Sequence, residues 1–200
     1  MDNNLDAMVV SRKTGEENFR AEGKPLDNKL FGFWQWACSD LFSNTMRGIL
    51  AEYIVASALG IATNTRRDWD AYDLVTTDGV KLEIKSAAYL QTWKQSKPSV
   101  ISFDIAPTKG WDASTNEISG EVKRQADIYV FCLLHHKEKP TLDPLDLDQW
   151  TFYLLPTSIL NAKKTNQKTI SLDGLQELCP VQASFGEIAP AIKKIISAEN

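Results

Sequence analysis

The residues best equipped for chemistry lie between Asp73 and Lys85. Asp73 is followed, after nine residues, by Glu83-Ile84-Lys85. Two carboxylates and a lysine at one end of a hairpin can hold a divalent cation and activate a water molecule. That equipment suits hydrolysis, and phosphodiesters are the commonest substrate for it.

The hairpin that must position them can be argued from the sequence. Asp78-Gly79 is a strong turn signal between two apolar runs. A two-residue turn would set Asp73 opposite Ile84, on the wrong face from Glu83. A three-residue turn over Thr77-Asp78-Gly79, with Gly79 left-handed, pairs Thr76 with Val80 and sets Asp73 opposite Glu83. The apolar pattern arbitrates, because a one-residue slip moves every side chain to the other face. In the three-residue register Tyr72, Leu74, Val80, Leu82 and Ile84 share one face, interrupted by Thr76. Asp73, Val75, Lys81, Glu83 and Lys85 share the other. Opposed carboxylates repel, so Asp73 against Glu83 calls for a cation between them.

Upstream, residues 44–60 read as one helix, with Ser43 or Asn44 as N-cap and Gly60 as its stop. Between Gly48 and Ala62 the sole charged residue is Glu52. Its neighbours three and four positions away are Gly48, Ile49, Val55 and Ala56, so no cation on the helix serves it. A buried carboxylate must then find a metal, a distant cation or solvent. The stretch is too short to span a bilayer.

Glu52, Asp73, Glu83 and Lys85 together resemble the active-site signature of the PD-(D/E)xK nuclease superfamily. The order helix, strand, Glu-x-Lys strand and a further apolar strand at 127–134 is similar to that family's core, with Tyr72 where the motif name carries proline. The resemblance implies an α/β fold with a restriction-endonuclease-like mixed β-sheet flanked by helices. It implies Asp73 and Glu83 as ligands of Mg²⁺ or Mn²⁺, with Glu52 directly or through water and the main-chain carbonyl of Ile84 completing the shell. Lys85 is then the catalytic lysine. The expected activity is metal-dependent DNA endonuclease cleavage, of restriction type, with a homodimer for cutting both strands. The alternatives are a silent DNA-binding or protein-interaction module of the same fold, or a nuclease acting on RNA or in repair. Gln125 and Tyr129 match a spacing used in exonuclease branches, but they run into a strand-like stretch and are set aside.

Composition constrains this reading without deciding it. The 200 residues carry a net charge of −4, which by itself does not advertise nucleic-acid binding. Local cations matter more. Arg66, Arg67, Lys94, Lys97, Lys109, Lys123 and Arg124 flank the hairpin, with Lys163, Lys164 and Lys168 later, and of these Arg66, Arg67, Lys94, Lys97, Lys123 and Arg124 are the candidate phosphate contacts. Cys38, Cys132 and Cys179 have no metal-ligand spacing and read as buried thiols of a cytoplasmic protein. No membrane span or signal segment is expected.

Residues 1–28 read as a polar, loosely ordered or weakly helical arm, and 29–200 as a single domain. The aromatic run 29–42 reads as a helix packed on the core or on a dimer partner. Residues 99–105, 127–134 and 150–155 read as strands, 157–162 and 190–198 as helices, and 170–172 as a short edge strand. Residues 107–120 read as a long irregular connection of the kind that touches substrate.

Overall fold

The computed structural model describes residues 8–66, 70–112 and 115–199. Strands β1 (Asn18–Ala21) and β2 (Lys24–Lys29) lead into helices α1 (Leu30–Cys38) and α2 (Asn44–Ala58). Strand β3 (Leu74–Val75) turns into β4 (Lys81–Ala88). Then come β5 (Ser102–Asp104), β6 (Thr108–Asp112), β7 (Glu117–Lys123), β8 (Ile128–Leu134) and β9 (Trp150–Pro156). Helix α3 (Thr157–Lys163), strand β10 (Thr169–Ser171), helix α4 (Leu172–Gln176), strand β11 (Val181–Ala183) and helix α5 (Ile188–Glu199) follow.

The fold is mixed α/β. Its main sheet runs β11-β9-β8-β4-β3, with β4 and β8 parallel and the other neighbours antiparallel. Central strand β8 is apolar and buried at all seven positions, as a strand covered on both faces requires. Its alternate residues feed two cores. Ile128, Val130, Cys132 and Leu134 pack with Leu82 and Ile84 of β4, Ile54 and Val55 of α2, and α5. Tyr129, Phe131 and Leu133 pack on the other side with Phe103, Leu160, Ile170 and Leu175. Helices therefore flank both faces of the sheet.

Helix α2 starts where Ser43 Oγ accepts the Met46 N–H at 3.3 Å, and the chain leaves it through Gly60 at φ +69°. Three expectations change. Residues 18–29 form a hairpin with every strand residue exposed, not a loose or helical arm. Helix α1 forms, but it buries none of its residues and exposes Phe31, Phe33 and Trp36, so packing in the core does not hold. Residues 107–120 largely form the β6–β7 hairpin instead of an irregular loop. Both hairpins pair only with themselves, so little apolar patterning marked them. Of the three thiols Cys132 is buried, Cys38 half-buried and Cys179 exposed. No helix among the described residues is long and apolar enough to cross a membrane.

Candidate active site

The β3–β4 hairpin adopts the three-residue register. Leu74 pairs with Leu82 and Val75 with Lys81, and the Thr76 N–H donates to the Val80 carbonyl at 2.9 Å. Gly79 sits at φ +83°, a conformation that favours glycine. Just before β3 the Asp73 N–H donates to the Leu82 carbonyl at 3.0 Å. Asp73 Oδ2 in turn accepts the Ile84 N–H at 2.6 Å, so the carboxylate is folded onto β4 beside Glu83. Two positions apart on β4, Glu83 and Lys85 share a face. Lys85 Nζ donates to Glu83 Oε1 at 2.6 Å. On the sheet they are flanked by Tyr129 and Phe131 of β8.

Burial sets the electrostatics of this cluster. It pushes the Asp73 carboxyl above the ordinary carboxylate range, against the Ile84 N–H and the Lys85 and Arg66 charges. Glu83 is raised by burial and then by the charge of Asp73, with Lys85 opposing. Burial disfavours the Lys85 ammonium, but Glu83 and Asp73 outweigh it and its pKa ends above normal. Lys85 is therefore held as a cation beside two acids whose proton affinity burial has raised. Among the described residues, Asp73 Oδ1 and Glu83 Oε2 have no hydrogen-bond partner.

Glu52, on α2, finds a distant cation. Arg66 donates from Nε to Oε2 at 2.5 Å and from Nη2 to Oε1 at 2.8 Å, a fork matched to a carboxylate. Burial raises the Glu52 pKa, Arg66 lowers it and Asp73 raises it again, so Glu52 belongs to the same charge cluster. Its oxygens are nevertheless committed to Arg66. Among the described residues no group of three or more His, Cys, Asp or Glu side chains is drawn together to hold a metal. The acids that meet are the pair Asp73 and Glu83.

A cleft of about 660 Å³ opens over that pair. It is lined by Asp70, Ala71, Tyr72, Asp73 and Glu83 and by Thr108, Lys109, Trp111 and Asn116 of the β6–β7 hairpin and its turn. The basic candidates lie elsewhere. Arg66 holds Glu52. Arg124 is buried, donating to the carbonyls of Ile105, Lys164 and Gln167 and to Asn161 Oδ1. Its guanidinium is thus committed inside the protein and is not offered to phosphate. Lys123 pairs with Glu121 at 2.9 Å on the surface. Lys94 and Lys97 are exposed and do not line the cleft. Arg67 lies outside the described residues. Sequence reasoning counted Lys109 among the local cations and Trp111 within a connection expected to touch substrate, without singling out either; they are the cation and the indole that line the cleft. Their spacing of two residues was the available signal, although the β6–β7 ladder shifts register between them.

No curated protein matches the sequence. A family model does: residues 32–174 match that of bacteriophage T4 endonuclease IV, a span running from within α1 to within α4 and therefore containing the acid pair, Lys85 and the residues lining the cleft. The chain belongs to the bacteriophage T4 endonuclease IV family, a family of nucleases.

Proposed function

We propose that the chain is a metal-dependent DNA endonuclease with a PD-(D/E)xK site on a restriction-endonuclease-like fold. One observation carries the reading: Asp73 and Glu83 sit side by side at a cleft, each with raised proton affinity and an oxygen without a partner among the described residues, next to a charged Lys85. Two such acids fit a hard cation, because its charge offsets both their desolvation and their mutual repulsion. Asp73, Glu83 and the Ile84 carbonyl would hold Mg²⁺ or Mn²⁺. Glu52 would act from behind, through water or by orienting Arg66. When bound, the ion lowers the pKa of its water and offsets charge at phosphorus.

The chain's own groups account for the rest. Lys85, kept protonated by its acidic neighbours, orients the attacking water or stabilises negative charge on the phosphate oxygens. Tyr72 and the β6–β7 hairpin shape the entry to the cleft. A homodimer would present two sites, one per strand, and restriction of foreign DNA is the role this arrangement best serves.

Purified protein incubated with plasmid and linear DNA in Mg²⁺ or Mn²⁺ tests the reading. Cleavage is expected from the wild type and is expected to vanish in Asp73→Ala, Glu83→Ala and Lys85→Ala. Cleavage surviving all three substitutions would remove the site assignment.

A further inference from the structure

The β6–β7 hairpin is a poor candidate for a purely structural element. It forms its own two-stranded sheet, apart from the main sheet. Ile118 and Val122 on it stand exposed. A two-stranded ribbon of this kind is marginal alone, and here its base is fastened. Arg124, directly after β7, donates from Nε to the carbonyl of Ile105, ahead of β6, at 2.8 Å. The same guanidinium reaches Asn161, Lys164 and Gln167 in and after α3. Gln125 Nε2 donates to the Thr108 carbonyl at 3.0 Å, and a Cβ on Gly110 would meet the Gln125 carboxamide at 3.3 Å. Both feet are thereby fixed while Lys109 and Trp111 line the same cleft as the acid pair.

Those two side chains have recognisable chemistry. Lys109 and Trp111 are two residues apart on β6 and both line the cleft. The indole is half-buried, and its Nε1–H donates to Asn116 Oδ1 at 3.2 Å, across the hairpin turn. That bond ties the ring to the hairpin turn, and Tyr72 lines the same cleft. The volume of the cleft lies in the range of sites that hold small organic groups. An aromatic plane beside a lysine suits a nucleobase and its phosphate, since stacking accepts any base and an ammonium offsets phosphate charge.

We propose that the β6–β7 hairpin is a nucleotide-gripping arm: Trp111 stacks on the base adjoining the scissile phosphate, and Lys109 pairs with that nucleotide's phosphate. The proposal rests on the nuclease reading above. It makes Trp111 and Lys109 binding residues that orient the strand over Asp73 and Glu83, with no proton or bond of their own in the reaction. The gripped base is out of its stack, whether it arrives in an open strand or is extruded from a duplex.

The experiment uses the whole chain as wild type, Trp111→Ala, Trp111→Phe and Lys109→Ala. Each is assayed with Mn²⁺ on a labelled DNA oligonucleotide whose cleavage position has been mapped. Companion oligonucleotides carry one abasic residue at each position flanking the cleaved bond. Trp111→Ala is expected to raise KM about tenfold or more with a much smaller change in kcat, and Trp111→Phe to keep most of the affinity. One abasic position should cost the wild type a similar factor and cost Trp111→Ala nothing further. Lys109→Ala should weaken binding several-fold and flatten its salt dependence. An abasic profile that is the same in wild type and Trp111→Ala overturns the arm. So does a Trp111→Phe variant that loses as much as Trp111→Ala and melts lower, since that assigns the ring to folding. A wild type that cleaves no DNA overturns the nuclease reading itself. A cleaving wild type with an unaffected Trp111→Ala overturns the arm alone.

Discussion

Glu52 and Glu83 are glutamates of one charge cluster, yet the fold treats them differently. Glu52 receives a guanidinium fork on both oxygens. Glu83 receives one lysine hydrogen bond on one oxygen and faces Asp73, whose charge raises its proton affinity further. The first acid has both oxygens engaged by a cation of the protein. The second is left under-compensated at a cleft, where an added cation gains the most. The contrast separates a carboxylate that organises the site from one that binds at it, which residue type alone cannot do.

The largest expected effect is the loss of chemistry at the under-compensated pair. Glu83→Gln or Asp73→Asn should lower the cleavage rate at least about a thousandfold, since metal-site charge stabilisation amounts to several kcal/mol. Measured without metal, the same variants should melt no lower than wild type, and Asp73→Asn about 2–4 °C higher, because a repulsion is relieved while an oxygen remains for the Ile84 N–H. A lower melting point in both would erase the distinction between the two acids.

Arg66→Ala comes next and should behave oppositely. It strands the Glu52 charge, and because the Arg66 side chain is 36% exposed the loss should be about 1–3 kcal/mol, less than for a fully buried pair. Chemical denaturation should show it, and Glu52→Gln combined with Arg66→Gln should recover most of it. Glu52→Gln alone should slow cleavage by only about tenfold, well short of Glu83→Gln. Equal losses would place Glu52 among the binding acids.

The smallest effect is the pH dependence of stability. Asp73 and Glu83 have folded pKa values above their ordinary 3.8 and 4.5. The folded chain therefore binds protons more readily than the unfolded chain between the ordinary and the raised values. Stability from this pair grows as pH falls through that window and is lost as pH rises through the folded values. Metal-free melts should accordingly show a small stabilising component on acidification from neutrality, reduced in the Asp73→Asn, Glu83→Gln double variant to what the likewise raised Glu52 contributes. Added Mn²⁺ should reverse the trend, because it competes with protons for the same oxygens.

Most of the site's scaffold was legible in the sequence, and the reasons are specific. Strand β8, helix α2 and the β3–β4 register all face the core on at least one side, so burial wrote a period into them. The hairpins β1–β2 and β6–β7 expose most of their strand residues, and nothing forced alternation there. Arg124 looked like a phosphate contact because charge is visible in a sequence and depth is not. The Glu52–Arg66 pair crosses from a helix to a loop fourteen residues on, a distance no periodicity spans.

The pairing of β4 with β8 has an evolutionary consequence. Their parallel alignment, Leu82 to Ala88 against Ile128 to Leu134, turns everything between them into one closed excursion of the chain. That excursion contains the whole β6–β7 hairpin. Closing a longer excursion is inexpensive, about 0.6 kcal/mol per doubling of length. The hairpin can therefore lengthen, shorten or change its inner face while the strand bearing Glu83 and Lys85 keeps its neighbours. Such a chain can diversify what it grips without reinventing how it cuts.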